Sequence, residues 1–367
     1  MAQKNDIGRL VKDPEALRRF LDNALCGEVE RRVVMIVGNR IVGDSRVLKS
    51  ALSLAERGFE VVLIGMRPLP NDFSCGFIEG IPFLLVDGAE LSTGADAAGH
   101  AAAMRSIGQR VARGLGDARF SILYTHDYWG LELGLHVMQG HAYRQMLHWV
   151  HDVHEYIEGY RGILPEGRLG YAIDAERRYL GLPDQLVFVN ERIADLLCAR
   201  FDFVARDRLV VHNAPRRQRD CAFQLRREIG LAPEVPLGVY LGRATAARGL
   251  DVLIPALEAI GELHFALLSS AALDYLAELR SLAEKAGVGE RLHIFDYVPD
   301  AEVASAVASA TFGISPLTRY GNSDLAVPTK VLEFLHAELP MVVSDATFQA
   351  DFVREHRLGE VFSSTDA

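Results

Sequence analysis

The sequence predicts an α/β protein with two Rossmann-like domains, each a parallel sheet covered by helices. Apolar runs rich in β-branched residues alternate with segments of helical periodicity along the whole chain of 367 residues. A polar, arginine-rich connector at about 214–234 interrupts this alternation once, and the pattern then restarts. The halves also differ in charge, with 27 Lys+Arg against 28 Asp+Glu in residues 1–217 and 12 against 21 in residues 218–367.

The first half begins with a helix and continues with strands. In DPEALRRFLDNAL the apolar residues share one face and Pro14 stands in the first turn, which predicts a packed helical extension within residues 1–30. Asp44 is placed to cap the helix after the first strand, and Gly58 to end it. The predicted strands of this half are 33–37, 59–65, 121–125, 146–150, 185–189 and 208–212.

The second half repeats the strand and helix alternation after the connector. Its predicted strands are 236–242, 264–269, 291–295, 312–317, 341–345 and 359–362. We therefore predict a first domain over residues 31–215 and a second over residues 216–367.

Composition excludes several classes of protein. The four cysteines lie far apart without a C-x-x-C pair, which favours free thiols in a reducing compartment. The N-terminus is too charged for a secretory signal and no run of 18 apolar residues occurs, so we expect a cytoplasmic protein. Neither half has the basic surplus of a nucleic-acid binder. The arginine run from Arg192 to Arg217 is either a solvated face or a patch for a polyanion or an anionic membrane.

The loop GNRIVGDS follows the first strand, where open α/β sheets usually bind ligands. Its glycine spacing is close to that of a P-loop, but Asp44 stands where the lysine must be and would repel phosphate. The loop also lacks G-x-G-x-x-G, which weakens a dehydrogenase interpretation. Arg46 and Lys49 follow on the helix, as exposed charges or as ligand contacts.

Two clusters rich in histidine follow neighbouring strands of the first half. YTHDYWG contains His126, and HDVHEYIEGY contains Asp152 and His154. Histidines beside carboxylates at strand ends are candidates for acid/base or hydrogen-bonding work. A zinc site at HDVHE is a weaker alternative, because the spacing is not that of H-E-x-x-H. His126 alone could also be a structural histidine.

Cationic residues follow strands of the second half. Arg243 and Arg248 lie in the loop after its first strand, where guanidinium groups suit a diphosphate. Pro328 starts a helix and leaves the amides of Thr329 and Lys330 free. Lys330 and Glu333 share one face of that helix. An amide group, a lysine and a carboxylate one turn later can together hold a phosphate and a polyhydroxyl group.

These stretches resemble a retaining glycosyltransferase of family 4 with the two-domain GT-B fold, over roughly residues 31–365. GDSRVLKSALSLAERGFEVVLIG is similar to that family's first helix and second strand, and HDVHEY to its D-x-H-E segment. VVHNAP resembles the end of its first domain. GRATAARGLDVLI resembles its G-R-x-x-x-x-K-G-L-D phosphate loop, with Arg248 in place of lysine. PTKVLEFLHAELPMVVSD is similar to P-N-K-x-x-E-Y-x-A-x-G-x-P-V-V-x-S-D, the most specific match.

The resemblance implies that the two domains face a central cleft and move a sugar from a nucleotide-sugar donor to a hydroxyl acceptor, with retention and without a metal or cofactor. It implies three catalytic residues, His126, Arg248 and Lys330. It implies three donor-binding residues, Arg243, Thr329 and Glu333, the last on the ribose. It implies an acceptor side of Asp44, Arg46, Asp152 and His154. The acceptor is expected to be a glycan or a lipid-linked hydroxyl, with at most peripheral membrane contact and no nucleic acid.

Two differences from the family motivate an alternative. The family's E-x7-E pair would place its first acid at position 325, which is Leu325 here. The family also continues with helices that cross back to the first domain, and we expect these to be absent because the sequence ends at Ala367. The alternative they motivate is a non-catalytic sugar-nucleotide-binding scaffold. A GT-B enzyme of another reaction class, such as an epimerase or a phosphorylase, is a further alternative.

Overall fold

The computed structural model describes residues 9–11, 13–92, 96–161, 164–201, 208–216, 219–269, 273–326 and 328–364. The chain divides into two compact units, Met1–Val211 and His212–Ala367. Each unit is a sheet of mainly parallel strands covered by helices, as predicted. The division lies after residue 211, whereas the predicted boundary follows residue 215, and the N-terminal extension is part of the first unit.

The first unit is built on a nine-stranded sheet. Its strands are β1 (Arg9–Val11), β2 (Arg32–Val37), β3 (Glu60–Arg67), β4 (Phe73–Ile78), β5 (Ile81–Asp87), β6 (Ile122–His126), β7 (His148–Val153), β8 (Gln185–Phe188) and β9 (Arg208–Val210). Their order is β1-β4-β5-β3-β2-β6-β7-β8-β9. The β1–β4 and β4–β5 pairs are antiparallel, and the other described pairs are parallel. The parallel neighbours β2, β6 and β7 therefore end at one edge of the sheet.

Six α-helices accompany this sheet in the part of the first unit that the structure describes. They are α1 (Pro14–Ala24), α2 (Ser45–Glu56), α3 (Ala97–Leu115), α4 (Asp127–Gly140), α5 (Glu166–Tyr179) and α6 (Glu191–Phe201). Side-chain caps are present at the starts of α1 and α2, and the cap at Asp44 is as predicted. Asp13 caps α1 by accepting from the Glu15 amide at 3.0 Å, and Asp44 caps α2 by accepting from the Val47 amide at 3.2 Å. Gly58 follows α2 with a φ of 83°, which favours glycine.

Strands β1, β4 and β5 are not among the predicted strands. Strands β4 and β5 form an antiparallel hairpin, and its turn residues Glu79 and Gly80 have φ values of 49° and 82°. Two positive φ values are typical of a type I′ turn. The signal is a Glu-Gly pair between two apolar runs, which is weaker than Asn-Gly or Asp-Gly. Strand β1 has three residues, too few to show a periodicity.

The second unit is built on six strands. They are β10 (Leu237–Leu241), β11 (His264–Ser269), β12 (Leu292–Asp296), β13 (Phe312–Ser315), β14 (Met341–Ser344) and β15 (Gly359–Phe362). Their order is β12-β11-β10-β13-β14-β15, and the described pairs are parallel. Each corresponds to a predicted strand within two residues at either end.

Helices cover both faces of the second sheet. They are α7 (Leu225–Ile229), α8 (Leu253–Ala259), α9 (Leu273–Lys285), α10 (Val303–Val307), α11 (Thr329–His336) and α12 (Thr347–His356). Strand β10 separates two apolar cores, since Val239 packs in one of them with Phe334 of α11, and Tyr240 packs in the other with Leu257 of α8. The alternation of side chains along a buried strand explains this division.

The sequence also gives expectations for the cysteines, for membrane-spanning helices and for the arginine run. All four cysteines are free thiols, as predicted. Within the described ranges, no helix combines the length and the apolar character needed to cross a bilayer. In the arginine run, Arg208 forms ion pairs with Glu191 and Asp195, and Arg200 donates to the Tyr156 hydroxyl. These pairings favour a solvated face, while Arg206 and Arg217 lie outside the described residues.

Candidate functional site

His126, Asp152 and His154, which we call the histidine cluster, lie where adjacent parallel strands of the first unit end. His126 is the last residue of β6 and pairs in register with Val37 of β2 and with Asp152 of β7. Because the strands are parallel, the residues that follow them lie at the same edge. Arg46 and Asp44 reach this edge from the start of α2. The structure therefore brings the predicted residues of the first unit together.

A buried ion pair between Arg46 and Asp152 anchors the histidine cluster. Arg46 donates to both carboxylate oxygens of Asp152, from Nε at 3.0 Å and from a terminal nitrogen at 2.7 Å. The other terminal nitrogen donates to the Val211 carbonyl at 2.7 Å. The two charged side chains are 7% and 1% exposed. Burial opposes ionisation, but His154, His126 and Arg46 together hold the pKa of Asp152 well below its usual range.

His154 links Asp152 to a second carboxylate. Its Nδ1 lies 3.2 Å from Asp127 Oδ1, and its Nε2 lies 3.1 Å from His126 Nδ1. Burial lowers the pKa of His154, but the charges of Asp127 and Asp152 outweigh burial and raise it to about 9. His154 is therefore an imidazolium at neutral pH. It donates from both nitrogens and carries a positive charge among carboxylates.

His126 is completely buried and stacks on Tyr124 with ring centroids 4.5 Å apart. Burial lowers its pKa, so it is neutral. Its Nδ1 lies 3.1 Å from His154 Nε2 and 3.4 Å from Asp152 Oδ2. Its Nε2 is buried and has no hydrogen-bond partner among the described residues. The complete burial fits a structural histidine, whereas the unpartnered Nε2 is suited to a ligand, so the catalytic role of His126 stays a prediction.

Two aspartates flank this cluster in different ways. Asp44 accepts from Asn39 Nδ2 at 2.7 Å and from the Val47 amide, so both of its oxygens hold the loop and the helix. Asp127 has a φ of 59°, a conformation that costs a residue with a side chain about 1 kcal/mol or more. Burial raises its pKa to about 6. Asp127 belongs to the predicted YTHDYWG cluster but is not itself a predicted site residue; its position directly after a strand could have indicated it.

Two groups of three residues place metal-ligand atoms within 4.8 Å of one another in the part of the chain that the structure describes. They are His126 with Asp152 and His154, and Asp44 with Asp127 and His154. In the first group both Asp152 oxygens already accept from Arg46. In the second group Asp44 accepts from Asn39 and Val47. A metal would therefore compete with existing partners and with the proton of His154.

Lys330 and Glu333, two predicted site residues of the second unit, lie in the first half of α11. Lys330 is buried, with its Nζ 3.8 Å from the centroid of the Tyr240 ring. Burial and then the neighbouring charge of Arg248 hold the pKa of Lys330 well below its usual range, while Glu333 acts in the opposite direction. A desolvated ammonium beside a second cation gains more from an incoming anion than an exposed lysine does.

Glu333 lies one turn after Lys330 and is 5% exposed. One of its oxygens accepts from the Tyr297 hydroxyl at 3.1 Å. Burial, and after it the charge of Glu333, raise the pKa of Tyr297, so this hydroxyl stays a donor. Tyr297 is not a predicted site residue, because its position after β12 is far from α11 in the chain.

The loop after β10 is fixed at several points. Gly249 has a φ of 64°, and a Cβ there would lie 2.2 Å from the Pro316 carbonyl oxygen, so only glycine fits. The Ala244 amide donates to Ser269 Oγ at 3.1 Å, and the Tyr240 hydroxyl donates to the Arg243 carbonyl at 2.9 Å. The Arg248 side chain is half-buried and that of Arg243 is exposed.

The first turn of α11 supplies donors. Pro328 is the residue before the helix and forms no side-chain cap. Thr329 Oγ1 lies 2.9 Å from Asn213 Nδ2. Helix amides without a cap attract anions.

Asp324 does not replace the acid that is absent at position 325. Its Oδ1 accepts from the Thr347 amide at 2.9 Å and from the Thr347 hydroxyl at 3.0 Å. Arg319 also donates to it at 3.2 Å. Asp324 therefore holds the start of α12.

Comparisons with known proteins agree with this architecture. Residues 235–367 match the family model described as glycosyl transferases group 1. A search of curated protein sequences finds no match. Among solved structures, sucrose-phosphate synthase from Thermosynechococcus elongatus is similar with a TM-score of 0.69 and 14% identity, covering 92% of this chain and 87% of that chain.

Two further solved structures have the same fold. Anabaena Alr3699/HepE in complex with UDP-glucose is similar with a TM-score of 0.62 and 13% identity, covering 90% of this chain and 85% of that chain. The α,α-trehalose-phosphate synthase (UDP-forming) from Burkholderia vietnamiensis has a TM-score of 0.58 and 12% identity, covering 91% and 89%. The predicted GT-B fold class is confirmed, and together with the family match it indicates a glycosyltransferase.

Proposed function

Because the second unit carries a glycosyl transferases group 1 domain, we propose that this protein is a retaining, metal-independent glycosyltransferase that moves a sugar from a nucleoside diphosphate sugar to a hydroxyl acceptor. The observation that carries the proposal is the buried Lys330 beside Arg248 at the uncapped start of α11, one turn before Glu333. A diphosphate satisfies the cations and amides, and a ribose satisfies the carboxylate.

The chemistry of the transfer places the largest charge change on the leaving diphosphate. As the glycosidic bond breaks, negative charge grows on the phosphate oxygen that leaves. Cations and amides already in place stabilise this charge without reorganisation. We propose that Lys330 and Arg248 supply this stabilisation, that Arg243 and the Thr329 amide bind the donor, and that the departing oxygen assists the incoming hydroxyl on the same face, which gives retention.

We propose uridine diphosphate sugars as the first donors to test. Alr3699/HepE was solved with UDP-glucose, and the Burkholderia vietnamiensis synthase is UDP-forming. For the acceptor we propose a glycan or lipid-linked hydroxyl that meets the histidine cluster of the first unit, where Asp127, Asp152 and His154 provide charged partners. The four free cysteines support a cytoplasmic location.

The function is tested by incubating the full chain with a panel of sugar nucleotides and measuring release of nucleoside diphosphate without an acceptor. Slow release from one donor is expected, because water replaces the acceptor hydroxyl. A thermal-shift panel of the same compounds should select the same nucleotide, since a ligand that binds the folded state stabilises it. Neither stabilisation nor release with any donor would contradict the proposal.

A second candidate is a non-catalytic sugar-nucleotide-binding scaffold. Leu325 stands where the family has an acid, and the neighbouring Asp324 holds the start of α12 instead. Saturable binding of a sugar nucleotide without turnover, with or without candidate acceptors, would favour the scaffold.

Turnover is expected to survive chelation of metals. The cations and amides of the second unit compensate much of a diphosphate's charge, and Glu333 is assigned to the ribose. Release of nucleoside diphosphate should therefore proceed at the same rate in EDTA and in Mg²⁺. If EDTA abolishes release and Mg²⁺ or Mn²⁺ restores it, the proposal of metal independence is wrong, and the two ligand groups around His154 become candidate metal sites.

Replacing Glu333 by alanine is expected to weaken binding of the selected nucleoside diphosphate by about 1.5–3 kcal/mol, the range for hydrogen bonds to a charged group. Calorimetric titration measures this change. Glu355→Ala, an exposed glutamate of the same unit, is the control and should bind normally. Equal affinities for the Glu333→Ala and Glu355→Ala variants would remove Glu333 from the nucleotide site.

A further inference from the structure

Tyr240 contacts the two segments that carry the cations of the candidate site, which are α11 with Lys330 and the loop with Arg243 and Arg248. It lies in β10 with its side chain completely buried, and its ring faces the Lys330 Nζ at 3.8 Å from the centroid. Its hydroxyl donates to the Arg243 carbonyl at 2.9 Å. One residue therefore touches the lysine of α11 and the loop after β10.

The side chain of Lys330 passes beside the residue that follows β10. Gly242 has a φ of 107°, and a Cβ at this position would lie 4.0 Å from Lys330 Cε. The lysine stem thus passes beside a residue that has no side chain and ends over the aromatic face of Tyr240. An ammonium at this distance from a ring centroid makes a cation–π contact.

A tyrosine ring has an advantage over a carboxylate at this position. A buried ammonium needs compensation for its lost hydration. A carboxylate would provide it, but its full negative charge would repel a diphosphate. The aromatic face attracts the cation through its quadrupole and brings no formal negative charge. The N–H groups of the ammonium that point away from the ring therefore stay available for phosphate oxygens.

The hydroxyl of Tyr240 adds a second restraint. Burial raises its pKa, so it stays protonated and donates to the Arg243 carbonyl. The next residue, Ala244, is held by Ser269 Oγ. The side chain of Tyr240 therefore contacts Lys330 and also fixes the start of the loop that carries Arg243 and Arg248.

We propose that Tyr240 is a positioning residue for diphosphate binding: its ring holds the Lys330 ammonium in the charged form, and its hydroxyl fixes the loop that carries Arg243 and Arg248. The proposal rests on the proposed function, because it takes the diphosphate of a sugar nucleotide as the ligand. Its effect on Lys330 can be measured without any nucleotide.

The first measurement uses lysine labelled with ¹³C and ¹⁵N in the side chain. The sequence has only five lysines, at positions 4, 12, 49, 285 and 330, and Lys330→Arg identifies the signal of Lys330. In the wild-type protein the Lys330 ε-methylene protons should resonate upfield of those of the other lysines, because they lie over a ring. The Tyr240→Phe variant should keep this shift and the pKa of Lys330, and Tyr240→Leu should lose the shift and lower that pKa further.

The second measurement is the affinity for UDP and for inorganic diphosphate as a function of pH. At pH 8 Tyr240→Leu should bind about tenfold more weakly than Tyr240→Phe, the loss that corresponds to a desolvated cation–π contact. The difference should shrink as the pH falls and Lys330 becomes protonated. Tyr275→Leu, which alters the same apolar core, is the control and should leave the pKa of Lys330 unchanged.

Two results would overturn the proposal. One is a wild-type Lys330 signal without an upfield shift, which contradicts the contact with the Tyr240 ring even if the Tyr240→Leu variant fails to fold. The other is the same Lys330 pKa in the wild-type, Tyr240→Phe and Tyr240→Leu proteins. A wild-type protein that binds neither UDP nor inorganic diphosphate would instead contradict the proposed function, while the lysine signals still test the contact with Tyr240.

Discussion

Replacing Lys330 by alanine is expected to slow release of nucleoside diphosphate by about 100- to 1000-fold, the loss typical of one preorganised group that stabilises developing charge. Lys330 is buried next to the charge of Arg248, so it interacts with the leaving diphosphate in a medium of low dielectric constant. Arg248→Ala should cause a loss in the same range. The measurement is kcat with the donor that the panel selects.

The matched control is Lys285→Ala, which removes an exposed lysine of the same unit and should leave kcat unchanged. Lys330→Arg is also expected to be impaired, because the wide guanidinium plane does not fit where a compact ammonium lies over the Tyr240 ring. A Lys330→Ala protein that folds, binds the donor and keeps kcat close to that of Lys285→Ala would contradict the catalytic role of Lys330.

Replacing Arg46 by alanine is expected to lower the free energy of unfolding of the first unit by about 3–5 kcal/mol, the cost of leaving one member of a buried ion pair alone. Asp152 would then keep its charge among buried groups without the two hydrogen bonds from Arg46. Both tryptophans of the sequence, Trp129 and Trp149, lie in the first unit. Tryptophan fluorescence during denaturant unfolding of the full chain therefore reports on that unit.

The control for Arg46 is Arg18→Ala. The ion pair of Arg18 with Asp117 is also short, at 3.0 Å, but its side chains are 65% and 69% exposed. Its loss should cost no more than about 1 kcal/mol. The pKa of Asp152 is depressed in the folded protein, so the contribution of the pair is present above about pH 4 and is lost as the pH falls further. Equal destabilisation by the two substitutions would show that the buried pair is not an anchor.

The sequence predicts the parallel strands well because each is a continuous apolar run between helices. Strands β11 and β15 have the predicted bounds, and the cap at Asp44 follows from local hydrogen bonding that a few residues determine. The hairpin of β4 and β5 is not predicted, because its formation depends on the pairing of the two strands with each other. Its turn of Glu79 and Gly80 is a weak local signal.

The sequence predicts those residues of the candidate site that lie at the end of a strand or at the start of a helix. The sequence identifies His126, Asp152 and His154 because parallel strands bring such positions to one edge. It does not identify Asp127, whose importance comes from its distance to His154 and its unusual φ. Tyr240 and Tyr297 are missed for another reason. Tyr240 looks like an ordinary apolar strand residue and Tyr297 follows β12, and only the fold brings them to Lys330 and Glu333.

The most direct test of the central proposal is a calorimetric titration of the full chain with nucleoside diphosphates in EDTA. We expect the wild-type protein to bind one of them without a metal and Lys330→Ala to bind it about 10- to 100-fold more weakly, since hydrogen bonds from a charged group are lost. Failure of every common nucleoside diphosphate to bind the wild-type protein, or equal affinities of the two proteins, would contradict the assignment of the start of α11 as a diphosphate site.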